Sequence, residues 1–408
     1  MQCFPRSRLV AILLAALTVA AGCVATDLPG GDNAAALSTE AALESPPPEA
    51  VGDGQTAPAV RPSRAQTYAY VSDAGIFAFA IDEATGAWTP VPGSPFLTGG
   101  GPVTAAAVDH AHHVFYAAST EAHVVYALHI GADGGLVPAA GSPVAAGPAP
   151  SSVATPPSGR FVYVGNAAST ANLYGYAQNA GGALTLLPGF PITAGDAPSS
   201  LVIDRTGRHL YAVNTSTGTT VGFAIHPATG RLAPIAGSPF ATGIAPTAIA
   251  LSPNGRFACV TDIANEGVLV FAVNPGNGAL SDAIGPVSPT QSSPRSLAFT
   301  PTGHFLYVGN ALSDTLSGFH VGALNGSLAP TPASPYPSAR SPRALAMDPS
   351  GRYVYATAFK SQKVHGFAIN PLGDLTELAG FPYVIAGLAS QSIVIARVPQ
   401  PGNLAAQQ

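Results

Sequence analysis

Short stretches in which apolar and polar residues alternate recur along most of the chain, each bounded by glycine, proline, serine or asparagine. In one set they cover residues 151–154, 160–165, 173–177 and 184–187. Period-2 alternation between turn residues predicts β-strands. Pro156 to Gly159, the segment from Asn166 and the pair Gly181-Gly182 supply the turns. One set is therefore four antiparallel strands on short connections.

The set comes back every 48 residues. A turn reading Gly-Ser-Pro at Gly93-Ser94-Pro95 recurs as Gly141-Ser142-Pro143, Gly189-Phe190-Pro191, Gly237-Ser238-Pro239, Gly285-Pro286, Ala333-Ser334-Pro335 and, one residue early, Gly380-Phe381-Pro382. Pro102, Pro150, Pro198, Pro246, Pro294 and Pro342 keep the same spacing, and insertions are almost absent. A unit of about 40 to 50 residues with four strands points to a β-propeller, because one blade cannot bury both its faces without neighbours. Seven copies predict seven blades.

The first copy begins at its second strand, since Tyr68 to Ser72 matches Val162 to Gly165. Residues 391–396, Q-S-I-V-I-A, match the first-strand segments 199–203 and 295–299, and no further blade follows. The C-terminal strand is thus expected to complete blade 1 and close the ring, which removes exposed sheet edges. The expected fold is all-β, a seven-bladed propeller of four antiparallel strands per blade over residues 66–398, with a flexible tail over 399–408. A large aromatic in every third strand (Phe79, Tyr126, Tyr176, Phe223, Phe271, Phe319, Phe367) is expected to pack between blades rather than to stack a ligand.

Residues 1–22 form a different region. Arg6 and Arg8 precede an apolar run from Leu9 to Ala21, the pattern of a secretory signal and too short for a stable membrane span. Val19-Ala20-Ala21-Gly22-Cys23 resembles a bacterial lipobox, which implies lipidation of Cys23 and a location in the cell envelope, anchored to a membrane. Residues 23–65, rich in Ala, Pro, Gly and Glu, read as a disordered tether.

Charge narrows the partners. The net charge of -5 becomes -7 once the signal and its two arginines are removed. Lys360 and Lys363 are the only lysines and no basic run exists, so nucleic acid is an unsuitable partner. Cys259 stands where other copies have Tyr163, Tyr211, Tyr307 and Tyr355, and reads as a buried small hydrophobe.

Antiparallel strands bring two polar sets to one face, the channel mouth. Ser151, Ser199, Thr247, Arg295 and Arg343 follow the repeated proline, while Asp73, Asn166, Asn214, Asp262 and Asn310 end or follow the second strand. An Asx turn at the strand end accounts for the Asn and Asp set; ligand contact is the other reading. Arg295 and Arg343 break the Ser/Thr pattern in adjacent blades, which suits an anion site. His110, His112 and His113 look like metal ligands, but His112 and His113 align with a turn glycine and with the slot of Arg160, Arg208, Arg256, His304 and Arg352, so no metal is expected. No G-x-S-x-G, H-E-x-x-H, phosphate loop or G-x-G-x-x-G is present, and no cofactor is expected.

The stretch P-R-S-L-A-F-T-P-T-G-H-F-L-Y-V-G-N-A-L from Pro294 to Leu312, with the G-S-P-F turn, resembles the lactonase-type seven-bladed propellers related to one kind of 6-phosphogluconolactonase. Tyr163-Val164-Gly165-Asn166 and Tyr307-Val308-Gly309-Asn310 are similar to the Y-V-T-N repeats of surface propellers. The resemblance implies a histidine, a glutamate and an Asn-Arg-Gly in active members. Ser296, Ala311 and Ala358-Phe359-Lys360 hold those places here.

The sequence therefore leads to a non-catalytic, lipid-anchored monomer with no assigned catalytic residue, a binding or scaffold module whose loop face takes a carbohydrate, a peptide or an envelope protein through Arg295, Arg343, Asn166, Asn214, Asp262 and Asn310. The alternative is hydrolysis of a sugar lactone such as 6-phosphogluconolactone.

Overall fold

The computed structural model describes residues 65–400, apart from residues 97, 100, 169, 180, 339, 386, 388 and 389. The signal segment, Cys23, most of the tether and the last eight residues lie outside the described residues.

Seven antiparallel sheets follow one another around a ring. In blade 3 the strands are Pro150–Ala154, Phe161–Asn166, Leu173–Gln178 and Leu184–Leu186, within a residue or so of the periodic expectation. The inner strands of successive blades are Val103–Asp109 in blade 2, Pro150–Ala154, Pro198–Ile203, Pro246–Leu251, Pro294–Phe299 and Pro342–Met347 in blade 7. Each packs against the next, and Ser392–Pro399 joins the last to the first.

Ring closure is made as expected. Ser392–Pro399 lies antiparallel to Ala65–Ser72, in register from Ser392 opposite Ser72 to Pro399 opposite Ala65. It supplies the inner strand of blade 1, outside which stand Ile76–Ile81 and Trp88–Pro90. The single tryptophan of the chain seals this joint. Trp88 lies 4.8 Å from Phe79, 5.0 Å from Tyr355 and 5.4 Å from Phe381 between ring centroids, so the closing interface is the most aromatic in the ring.

Two features go beyond the four-strand unit. Five blades carry a fifth, two-residue strand, such as Val144–Ala145 and Phe240–Ala241, which pairs with the half of the third strand that the short fourth strand leaves uncovered. The repeated Gly-Ser-Pro turn is the step from the fourth strand to the fifth, with cis peptides at Ser94-Pro95, Ser142-Pro143, Ser238-Pro239 and Ser334-Pro335. The serine hydroxyl accepts the third-strand amide left over at that step, for example Ala127 N to Ser142 Oγ at 2.9 Å. Where phenylalanine replaces serine, its ring covers a third-strand glycine instead; a Cβ on Gly175 would come within 2.7 Å of Phe190.

Blade is tied to blade by one repeated tyrosine. Tyr70, Tyr163, Tyr211, Tyr307 and Tyr355 of the second strands donate their hydroxyls to the carbonyls of Gly134, Gly230, Gly278, Gly373 and Gly86 of the next blade, at 2.6 to 2.9 Å. The glycine is needed because the turn has a positive φ and lies on a ring: at Gly373, with φ +78°, a Cβ would sit 2.3 Å from Phe305. Cys259 fills the tyrosine slot of blade 5, is buried with its thiol pKa pushed up by desolvation, and forms no such bond. The third-strand aromatics are all buried, as packing between blades requires.

Candidate anion site at the channel mouth

The inner strands of blades 2 to 7 each open with a β-bulge that leaves one residue out of register with the second strand, whereas the closing strand of blade 1 pairs without one. The bulged residues are Thr104, Ser151, Ser199, Thr247, Arg295 and Arg343, and Gln391 takes the corresponding place just ahead of the closing strand. A bulge re-aims a side chain out of the ladder, here once in each of blades 2 to 7 around the mouth.

In blades 2 to 5 these side chains hold the ring together. Thr104 Oγ1 donates to the Pro150 carbonyl at 3.2 Å, Ser151 Oγ to Pro198 at 2.7 Å, Ser199 Oγ to Thr247 at 3.0 Å and Thr247 Oγ1 to Pro294 at 2.9 Å. Each bond crosses from one inner strand to the next.

Blades 6 and 7 break the series with arginine. Arg295 Nε donates to Ser293 Oγ at 3.2 Å within its own blade. Arg343 Nη1 donates to Gln391 Oε1 at 2.9 Å, and its guanidinium carbon stands 3.7 Å from the centre of the Phe359 ring. Arg343 is only 4% exposed, and its Nε has no hydrogen-bond partner. Burial and the like charge of Arg295 pull its pKa down to about 10; burial also lowers that of Arg295. Both remain charged at neutral pH, and among the described residues neither has a carboxylate partner.

The remaining cations of this face stand in the same sector. In the described connections of the mouth, Arg340 and Lys360 of blade 7 are the only Arg or Lys residues, and Lys363 opens the third strand of that blade. Two carboxylates flank the arginines through the connections that carry them: Glu266 Oε1 accepts from Ser292 Oγ at 2.6 Å, and Asp314 Oδ1 from Ser341 N at 2.8 Å.

The Asn and Asp set is engaged in turn formation. Asp262 accepts from the amides of Ile244, Ala245, Ala264 and Asn265. Asn214 accepts from Ala197 N and donates to the Ala194 and Ala212 carbonyls. Asn166 Nδ2 points at the Val164 and Asn172 carbonyls at 3.5 Å, whereas its Oδ1 has no partner. Asn310 is opposite Pro294, next to Arg295; its amide nitrogen donates to Thr315 and Ser317 while its Oδ1 is unpaired. Of this set, Asn310 stands in the arginine sector; Asn166, Asn214 and Asp262 belong to blades 3 to 5.

A family profile described as lactonase, 7-bladed beta-propeller, matches residues 34–340. The chain belongs to this lactonase family. Among solved structures, the lactonase-family chain is similar to a putative 6-phosphogluconolactonase from Bacteroides uniformis, with 21% identity over 81% of this chain and 99% of that one and a TM-score of 0.67. It is similar also to the periplasmic gluconolactonase of Pseudomonas aeruginosa, with 19% identity, 82% and 100% coverage and a TM-score of 0.68. These likenesses show the fold. No curated protein matches the sequence.

At the places that the family resemblance marks, Ser296 is buried with an unpaired Oγ, Ala311 is buried, and Phe359 forms the platform under Arg343. Sequence reasoning missed Phe359, Gln391, Glu266 and Asp314 as parts of the site. For Gln391 the signal was present: it follows Arg343 by one period.

Proposed function

We propose that the mouth of this lactonase-family propeller binds a negatively charged sugar lactone, or the acid to which it opens, through Arg295 and Arg343, and that lactone hydrolysis is its activity. One observation carries the reading: two neighbouring guanidiniums, one almost fully buried, with no carboxylate between them. Buried charges are ordinarily paired, so an anion from outside is the partner this geometry calls for. Family membership supplies the substrate class. Glu266 of blade 5 and Asp314 of blade 6 offer carboxylates able to accept a proton.

A second reading, binding without turnover, is favoured by Ser296 and Ala311, which offer no group that takes a proton from water near neutral pH. One set of measurements separates the two: hydrolysis of 6-phosphogluconolactone above the buffer rate, and binding of 6-phosphogluconate. The expected result is a rate that Arg295→Ala with Arg343→Met removes and His112→Ala on the far face leaves unchanged. Binding without a rate supports the second reading. If 6-phosphogluconate does not bind the wild-type protein, neither stands.

We also propose, from the sequence pattern alone, that Cys23 carries a lipid that holds the propeller in the cell envelope. Fatty-acid labelling and membrane association should both disappear in Cys23→Ser; labelling that persists would refute the anchor.

A further inference from the structure

Arg343 reaches the mouth from blade 7, but the side chain that holds it comes from the other side of the closing joint. Gln391 bonds blade 1 through its backbone, donating its amide N–H to the Ser72 carbonyl at 2.9 Å, and meets Arg343 Nη1 through Oε1. A guanidinium only donates, so the oxygen of the amide must be the end that faces it. Phe359 lies against the guanidinium as well. The arginine is therefore clamped between a ring of its own blade and an amide of the next, while its Nε is left without a partner.

We propose that Gln391 is the positioning residue of the anion site: it fixes the Arg343 guanidinium without neutralising it, so that the charge stays available to the ligand. This rests on the reading of Arg295 and Arg343 as an anion site. Neutrality at position 391 matters because a carboxylate there would form the charge-assisted pair that the arginine lacks and would take the place of the ligand's own anion. The six bulge positions of the ring carry hydroxyl or guanidinium; Gln391, just ahead of the closing strand, brings an amide oxygen on a side chain long enough to cross the joint.

The test compares Gln391→Glu with Gln391→Ala by titration with 6-phosphogluconate and by melting of the empty protein. Glu keeps a bond to Arg343 and Ala deletes it, so a purely structural role makes Ala the worse variant in both measurements. The proposal requires the opposite order in binding: Gln391→Glu weakens 6-phosphogluconate at least tenfold and more than Gln391→Ala, while its empty form melts no lower than that of Gln391→Ala. Wild-type affinity in Gln391→Glu, or weaker binding by Gln391→Ala than by Gln391→Glu, overturns it and leaves the anion site standing. Failure of the wild-type protein to bind removes both.

Discussion

At one and the same position of the ring, blades 2 to 5 place Thr104, Ser151, Ser199 and Thr247, and blades 6 and 7 place Arg295 and Arg343. The hydroxyls are absorbed by the scaffold, each closing a bond to the neighbouring blade. Arg295 bonds only within its own blade, and Arg343 crosses the joint to a neutral amide that leaves its charge unpaired. Arginine itself is no stranger to interblade bonding here: on the far face Arg160 donates to the Pro227 carbonyl, and Arg256 to those of Ala323 and Leu324. Those side chains lie at an exposed edge where water shares the charge. Arg343 is buried beside a second guanidinium, and its charge lowers the stability of the empty fold. A repeat makes such a departure easy to read, because the neighbouring blades show what the position does when its only duty is structural.

The strongest way to break the comparison is to remove the frame that makes both halves possible. Truncation before Gln391 takes away the inner strand of blade 1 and leaves Ala65–Ser72 as an open edge; the expected outcome is aggregation or loss of cooperative melting, whereas removal of residues 401–408 should leave the melting temperature unchanged. Equal melting of the two truncations would contradict the closed ring.

The next contrast exchanges stability for binding. The fall of the Arg343 pKa from the ordinary arginine value to about 10 corresponds to a destabilisation on the order of 3 kcal/mol when the site is empty. Arg343→Met should therefore melt at or above the wild-type temperature while its affinity for 6-phosphogluconate falls by about 100-fold. The sign follows from proton uptake: between the two pKa values the unfolded chain holds the proton that the folded one has lost, so wild-type stability rises with pH there. The advantage of Arg343→Met, full at neutral pH, should shrink as pH rises through about 10. Ser151→Ala gives the smallest effect and the reverse pattern. It deletes a buried hydroxyl bonded to Pro198, at a cost of about 1 to 2 kcal/mol, and should leave binding unaltered. Loss of binding in Ser151→Ala, or clear destabilisation in Arg343→Met, would show that the two halves of the ring are not divided in this way.

Strand order and ring closure were legible because the period fixes them. Once residues 391–396 were matched to 199–203, only one place remained for that strand. The fifth strand was not legible: two residues such as Val144 and Ala145 carry no alternation, and their pairing exists only because the fourth strand is shorter than the third. At the site, Arg295 and Arg343 stood out as exceptions to a pattern. Gln391 shares their register, one period after Arg343, but its role emerges only from the contact that its amide makes across the joint. For Asn166, Asn214 and Asp262 the sequence favoured an Asx turn over ligand contact, and hydrogen bonds within the turns occupy much of their capacity.

The closing strand also sets on which side of the ring the described chain begins. It runs from Ser392 at the mouth to Pro399 on the opposite side, where it meets Ala65. Ala65 thus lies at the back of the ring. If the proposed lipid anchor holds, a link from Ala65 to the bilayer turns the arginine sector outward and gives an incoming solute an approach that the membrane does not obstruct.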